Sequence, residues 1–526
     1  MPEIIFINEQ KTLFVAEGTT ILNAARQLGI VLETPCNGIG TCGKCKIKIG
    51  SDYFLACQKS ITENIVVITE NKEQENRTLK IVSGGQSFSY QLKPFISKQF
   101  DGEKTVVYGG NAVLGTEPEN TSELCYGVTV DIGTTTLVVA IIDLSSGKEI
   151  ASESRLNPQS AYAQDVLSRI HFASNNEGLK LLQHVLIDAL NEMIGAIADK
   201  VKISTKNIYE IVYSGNTAML HLACGINPKP LGQYPYITQI HGGEHVTEST
   251  LNISPFGVIY LPPVISAFVG PDITSGILAS QLYEQKETVL FIDIGTNGEM
   301  VLAKDGCLAA TSTAAGPAFE GMNITCGMRA GNGAVERFRI ADDGSIDVQV
   351  IGGIRATGIC GSGLLDMTGE LVRTRIIGKN GRFTSQKIID HLQEKDGKKT
   401  FFVTDEVFLT QNDVRQIQLA KGAVRSGIES LLTKMNLMKN EVNRVEIAGS
   451  FGYHLNEKSL LNIGLLPVEF EGKVKFVGNT AQSGGTAFLL NKDFRTKMIQ
   501  VASEIQKIEL ANNEDFEKLF VASLGF

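Results

Sequence analysis

The sequence predicts a multidomain chain of mixed α/β and α+β class, with a small β-grasp domain in front of a larger, duplicated domain. Three observations predict this. Four cysteines crowd the front in the spacing C-x5-C-x2-C-x11-C, at Cys36, Cys42, Cys45 and Cys57. A buried strand running into the turn Asp-Ile-Gly-Thr occurs twice, once at Asp131 and once at Asp293. Finally, 526 residues are too many for one ordinary core.

Bulk properties narrow the class. The formal charge of −9 argues against a nucleic-acid partner, which needs a basic surface. Met1 to Gln10 has no basic segment followed by an apolar one, so no signal peptide is expected. No apolar run is expected to cross a membrane; "TLVVAIIDL" comes closest and reads as a buried strand. Nine cysteines in such a chain do not make a secreted disulfide framework, and a cytoplasmic protein is expected.

The front domain is assigned to residues 1–70. Ile4 to Asn8 and Thr12 to Val15 read as a hairpin. A helix follows, with a Thr N-cap, Ile21, Leu22, Ala25 and Leu28 at helical spacing, and Gly29 as its stop. Lys46 to Ile49 alternates strictly and "ENIVVITE" supplies another strand, which completes the β-grasp reading. Between helix and strand lies the cysteine loop. Plant-type [2Fe–2S] proteins use C-x4-C-x2-C with a distant fourth ligand, and this chain departs by one residue in the first gap. Gly38, Gly40 and Gly43 let backbone N–H groups approach the sulfurs. A structural zinc site competes, but such sites usually come as two separated C-x2-C knuckles. Lys44, Lys46 and Lys48 read as a solvated strand face, with docking of an acidic redox partner as the alternative.

Residues 71–124 read as a linker with a small module, in which "TLKIVSG" and "KTVVYGG" are isolated strands and "TEPENTSEL" is a flexible connection. From residue 125 onward "YGVTVDIGTTTLVVAIIDLSSGKEIAS" predicts strand, glycine turn, strand, polar turn, strand, and "TVLFIDIGTNGEMVLAKDGCLAAT" predicts the same order again. An Asp closing each buried strand suits Mg²⁺ held through water. Gly133 and Gly295 let the backbone near a phosphate, and Thr134, Thr135, Thr296 and Asn297 donate to it. Three more strand-to-turn segments follow the pattern, around Asn216, around Gly449, Ser450 and Gly452, and around Gly478. The remaining cysteines, from Cys125 to Cys360, read as core residues. His241 and His245 read as loop residues and not as a metal site. Val414, Ile417, Ala420, Val424, Ile428 and Leu431 mark an amphipathic helix.

This ordered set resembles the ASKHA superfamily of acetate and sugar kinases, Hsc70 and actin, and so implies an actin-like (ribonuclease H-like) ATPase domain of two similar halves over 125–526. An iron–sulfur front domain joined to such a domain resembles the reductive activators of corrinoid proteins. Blocks such as "NPQSAYAQDVLSRI", "GPAFEGMNITCGMRAG" and "GICGSGLLDMTGEL" carry that likeness. The resemblance implies ATP-dependent return of inactive Co(II) to Co(I) in a corrinoid protein of a methyltransferase system, with a [2Fe–2S] cluster, ATP and Mg²⁺. It implies a low-potential donor such as a ferredoxin or flavodoxin, and a homodimer. Asp131 and Asp293 would manage metal and phosphate, and Gly449, Ser450, Gly452 and Gly478 would flank the adenosine. Glu299 and Glu320 are the candidates for activating water, with a helix-start carboxylate as the other meaning of Glu320. Ser312, in the small-residue stretch after the second hairpin, is the candidate corrinoid contact. A small-molecule kinase with a redox-regulatory front domain is the alternative.

Overall fold

The computed structural model describes residues 1–34, 36, 38–40, 42–69, 88–247, 250–384, 391–395, 397–449, 455–510 and 514–526. In the front, β1 (Glu3–Phe6), β2 (Lys11–Phe14), α1 (Ile21–Gln27), β3 (Lys46–Ile49), β4 (Asp52–Leu55) and β5 (Ile65–Thr69) form a five-stranded sheet with a helix across it. The strand order is β2-β1-β5-β3-β4, with β1 and β5 parallel, as a β-grasp requires. Thr20 caps α1 by accepting from the Asn23 N–H, and Ile21, Leu22, Ala24 and Ala25 pack its inner face. Gly29 ends it in the left-handed region.

Next comes an antiparallel meander of β6 (Ile96–Phe100), β7 (Lys104–Gly109) and β8 (Ala112–Pro118). Its third strand corrects the expected flexible connection: Glu117 pairs in register with Thr105. Glu117 also meets the fully buried Lys98 ammonium at 2.8 Å and accepts from the Tyr209 hydroxyl at 2.5 Å. The pair lies within the meander, and Tyr209, bonded to both its members, ties it to the following domain. The "TLKIVSG" stretch lies outside the described residues.

Two larger sheets follow. The first half contains β9 (Tyr126–Ile132), β10 (Thr136–Asp143), β11 (Glu149–Leu156), α2 (Val166–Phe172), α3 (Asn176–Val201), β12 (Ile208–Gly215), α4 (Thr217–Ala223), β13 (Glu244–Val246), β14 (Val258–Leu261) and α5 (Pro271–Ala279). The second opens with β15 (Val289–Ile294), β16 (Gly298–Lys304) and β17 (Cys307–Thr313). It continues through β18 (Ala334–Ile340), β19 (Ile346–Val350), β20 (Gly358–Ile359), α6 (Gly361–Arg373), β21 (Leu392–Lys395), β22 (Lys398–Phe402), β23 (Phe408–Thr410) and α7 (Gln411–Lys434). It closes with β24 (Arg444–Ala448), α8 (Glu457–Asn462), β25 (Val474–Gly478), α9 (Thr480–Leu490), α10 (Asp493–Glu504), β26 (Gln506–Lys507) and α11 (Glu514–Ala522).

The duplication is visible in the topology. One sheet runs β11-β10-β9-β12-β14-β13 and the other β25-β24-β15-β16-β17-β26. In each, the Asp-bearing strand has its hairpin partner antiparallel on one side and a later strand parallel on the other. "TLVVAIIDL" falls on β10, buried on both faces: Leu137, Val139 and Ile141 join the first-half core, while Ala140 and Ile142 join a core shared between the halves. Contrary to the expectation from sequence, one helix among the described residues, α3, is long and apolar enough to cross a membrane. Its Leu182, Leu186, Leu190 and Met193 pack in the first-half core. His245 lies on β13, within hydrogen-bond reach of Glu210 and Arg495, where it serves packing and charge balance. Cys307 is exposed, which corrects its assignment to the core.

Candidate nucleotide and cluster sites

The ends of β9 and β15 face one cleft, a cavity of about 210 Å³. Asp131, Gly133, Thr134 and Thr135 line it from one half, and Asp293, Gly295, Thr296, Asn297 and Glu299 from the other. The two turns close alike: the Gly133 N–H donates to the Thr136 carbonyl and the Gly295 N–H to that of Asn297. Their glycines differ in purpose. A Cβ on Gly133 would sit 2.5 Å from the Thr136 carbonyl oxygen, so the turn itself demands glycine there. At Gly295 there is room.

Glu320, at the end of a short 3₁₀ turn, spans the cleft. Its two carboxylate oxygens accept from Thr135 Oγ1 at 2.6 Å and Thr296 Oγ1 at 2.5 Å, one hydroxyl from each phosphate turn. Glu299 lies directly across the sheet from Asp293, and Ser312 directly across from Glu299. Ser312 is therefore a half-buried position inside β17 and not part of a loop.

Further residues complete the site: Asp272, which the sequence reading passed over, and two asparagines of turns it singled out without giving them a role. Asp272, in the first turn of α5, lines the cleft. Asn479 caps α9 and donates to Asp131 Oδ2 at 2.8 Å, and Asn216 caps α4 and donates to Thr134 Oγ1 at 3.2 Å. Both belong to a repeated Gly-Asn-Thr, the signal that would have found them. Behind the first turn, the fully buried Arg169 donates to the Thr134 carbonyl at 2.6 Å and Asn157 to that of Gly133 at 2.8 Å. Gly449 lines the cleft against Asp293: a Cβ there would lie 3.0 Å from the carboxylate. Gly478 stands behind it, its carbonyl accepting from the Gly449 N–H at 3.1 Å. Ser450 and Gly452 lie outside the described residues.

Carboxylates crowded into a cleft wall bind protons more tightly than free ones. Burial pushes Asp131 up to about 6, against a lowering bond from Asn479. Burial and the charge of Asp131 push Asp293 to about 7. Burial, then Asp293 and Asp131, push Asp272 to about 8. Glu299 is raised well above the ordinary range by burial, Asp272 and Asp293. Among the described residues these carboxylates do not come together as a direct metal-ligand group, so a divalent cation relieving their repulsion would be held through water, with Asp131, Asp272 and Asp293 facing it.

In the front domain the four thiols converge as two pairs, Cys36 with Cys42 and Cys45 with Cys57. Burial raises Cys36, but the Cys42 thiol and the backbone N–H groups of Cys42, Gly40 and Gly38 outweigh it and bring it to about 6. Burial and the other three cysteines push Cys57 up to about 12. Gly38 and Gly40 both have φ near +90°, and a Cβ on Gly40 would lie 2.3 Å from the Gln58 side chain. Two thiol pairs under a canopy of N–H donors fit a two-iron cluster, one pair for each iron. Lys44 is not a solvated lysine. Its ammonium donates to the Thr325 carbonyl at 2.8 Å and to that of Gly327 at 3.4 Å, docking the cysteine loop on the second half.

Two strand-and-turn halves facing a common acidic cleft, with a cysteine-bearing β-grasp domain docked beside it, define an ASKHA-type nucleotide-binding protein with an iron–sulfur front domain. Comparison with known families agrees segment by segment. Residues 5–65 match the 2Fe-2S iron-sulfur cluster binding domain, 126–285 the RACo middle region, and 287–526 the C-terminal ASKHA domain of RACo. The chain belongs to the RACo family. The corrinoid activation enzyme RamQ of Eubacterium limosum is 29% identical, with 99% of each chain covered. A [Co(II) methylated amine-specific corrinoid protein] reductase of Methanosarcina barkeri is 22% identical, over 76% of this chain and 77% of that one. The solved structure of a reductive activator for corrinoid, iron-sulfur protein superposes with a TM-score of 0.76 at 28% identity, covering 100% of this chain and 98% of that one.

Proposed function

We propose that this chain is an ATP-dependent reductive activator of a corrinoid protein, returning a partner's cobalt from Co(II) to Co(I) by one electron. The observation that carries this reading is the docking of the cysteine loop, through Lys44, onto the segment that also walls the nucleotide cleft. A redox centre and a nucleotide site sharing a wall suit a reaction in which one drives the other. The printed names of the relatives, an activation enzyme, a reductase and a reductive activator, point the same way. They lend no support to a small-molecule kinase.

A [2Fe–2S] cluster held by Cys36, Cys42, Cys45 and Cys57 supplies single electrons at low potential. The chain's own residues do the rest. Thr134, Thr135, Thr296 and Asn297 would present donors to a polyphosphate, while Asp131, Asp272 and Asp293 would hold its Mg²⁺ through water. Glu299, once a bound cation offsets the neighbouring carboxylates and it gives up its own proton, is placed to take one from attacking water. Ser312 is the proposed corrinoid contact. Residues 1–70, 71–124 and 125–526 act as cluster domain, connector and engine. A low-potential ferredoxin or flavodoxin as donor, a homodimer, and a cytoplasmic setting complete the proposal.

The test is anaerobic conversion of a Co(II) corrinoid protein to Co(I), followed by visible absorbance, with reductant and with or without MgATP. Co(I) should form only when ATP is present. Cys42→Ala should lose the cluster's absorbance and all Co(I) formation while keeping ATP binding. Co(I) formation by a cluster-free variant at the wild-type rate would sink the reading.

A further inference from the structure

The contact between Lys44 and the second half lies at one end of a short mechanical path whose other end is the nucleotide cleft. The path starts at Glu320, whose carboxylate occupies Thr135 and Thr296, the hydroxyls that a polyphosphate would also use. Gly321 follows, at φ +78°, and folds back on the end of the segment. A Cβ on Gly327 would lie 1.9 Å from the Gly321 carbonyl oxygen, and one on Gly321 would lie 2.6 Å from that of Met328. These figures mark a close backbone approach of Gly321 to Gly327 and Met328, so a displacement of Gly321 bears directly on both.

The same small loop has further anchors. The buried Asp413, which also closes the capping box of α7, accepts from the Thr325 N–H at 2.7 Å and its hydroxyl at 2.9 Å. Residues 326 and 328 pair with Ile359, next to Cys360 at the cleft. Arg329 lines both the cleft and a crevice of about 20 Å³ whose other wall includes Glu33 and Lys44 of the cluster domain. It is the one cationic side chain among the described residues lining the cleft, where five carboxylates face inward.

We propose that Lys44 is a positioning residue for electron transfer: a latch that holds the cysteine loop against residues 325–327 until a nucleotide displaces Glu320 and releases it. The driving force is local. Bound phosphates compete for Thr135 and Thr296, repel the Glu320 carboxylate, and draw Arg329 toward the cleft. Both shifts disturb the Gly321–Gly327 contact that presents the carbonyls to Lys44. The latch itself is two hydrogen bonds from a half-exposed ammonium to neutral carbonyls, a contact weak enough to be broken by ligand binding. Lys44 lies between Cys42 and Cys45, so releasing it frees the loop that holds the cluster. This inference rests on the cleft binding ATP and not on the identity of the redox partner.

Reciprocity supplies the test. If nucleotide binding must break the latch, removing the latch tightens nucleotide binding by the same factor. In the cluster-loaded full chain, titration with Mg²⁺ and a non-hydrolysable ATP analogue should show Lys44→Met binding about fivefold or more tightly than wild type, within the usual span of such couplings. Lys44→Arg, which keeps donors, should stay near wild type. Amide hydrogen exchange on the wild type should accelerate at 320–329 and 42–46 when the analogue binds. In Lys44→Met it should be fast at 42–46 without nucleotide. A lysine of merely structural importance would leave nucleotide affinity unchanged, and that result overturns the proposal. So does unchanged wild-type exchange on binding, a readout that does not depend on the variant folding. Should the affinity shift appear while no corrinoid is reduced, the latch stands and the assigned reaction falls. Should the wild type bind no nucleotide, both fall.

Discussion

The two halves of the engine share a scaffold and differ in chemistry at matching positions. In the first, Asp131 pairs across the sheet with Val138, and Val138 with Ser154. In the second, Asp293 pairs with Glu299, and Glu299 with Ser312. Strand order, turn and flanking parallel strand are the same, yet the position beside the aspartate is apolar in one half and a carboxylate in the other. Duplication thus supplied two matching glycine turns but only one carboxylate beside the aspartate of the hairpin. The first half invests instead in rigidity: Arg169 and Asn157 pin its turn from behind, and Gly133 leaves no room for a side chain.

If this asymmetry is functional, breaking it should have graded effects. The largest is expected for Glu299→Gln, which removes the proton acceptor and should lower the ATPase kcat by about 10²–10⁴ with nucleotide affinity retained. A fall confined to KM would remove Glu299 from the chemistry. Asp131→Ala and Asp293→Ala should each cost about 10²–10³ in turnover by weakening metal and phosphate handling, without changing the visible spectrum. Because these two aspartates occupy equivalent positions, their losses should be alike; normal turnover in either variant contradicts a two-turn cleft.

The next effect is on stability. Asp272 and Asp293 retain protons up to about 8 and 7 in the folded protein without nucleotide, whereas an unfolded aspartate loses its proton near 3.8. The folded state therefore binds more protons over that interval, and stability is lost as the pH rises from about 4 to 8. Asp272→Asn should raise the thermal midpoint of the nucleotide-free, chelator-treated protein at pH 8, by about 1 °C for each kcal/mol relieved, with little change at pH 4. A lower midpoint at pH 8 would mean that the charged form is needed by the fold. The smallest effect separates the matching serines. Ser312→Ala should slow Co(I) formation by about tenfold or less, the scale of one hydrogen bond, and spare the ATPase, whereas Ser154→Ala should leave both rates unchanged. Equal Co(I) rates in both variants would remove Ser312 from the partner interface.

What the sequence made legible was local and repeated. The two Asp-Ile-Gly-Thr turns, the strand hairpins that bear them, and the helix of Val414 to Leu431 all follow from short-range pattern, and the structure has each in its expected place. The cysteine spacing likewise predicted convergence. Long-range juxtaposition was not legible. Asp272 opens a helix after Gly-Pro, which reads as an ordinary helix start. Lys44 sits in a run of alternating lysines, and nothing near it in sequence reveals the carbonyls of Thr325 and Gly327, about 280 residues away. Glu320 was picked out, but its bridge between the halves depends on a fold that brings residues 135 and 296 together.

Helix α9 has a consequence for how the chain comes off the ribosome. Gly484 meets Ser275 of α5 so closely that a Cβ would lie 2.0 Å from its carbonyl oxygen, and Leu489 closes over Gly127 of β9. Its Gln482 also bonds Thr129 on the first-half sheet. One face of the first sheet, with Ile142, Tyr209, Val212 and Tyr260, is thus finished by residues 487–490. Translation at about 5–20 residues per second leaves that greasy face waiting on the order of ten to forty seconds after β14 emerges. During synthesis the first half is thus an unfinished sheet, and a chain ending before residue 480 would leave that apolar face without its cover.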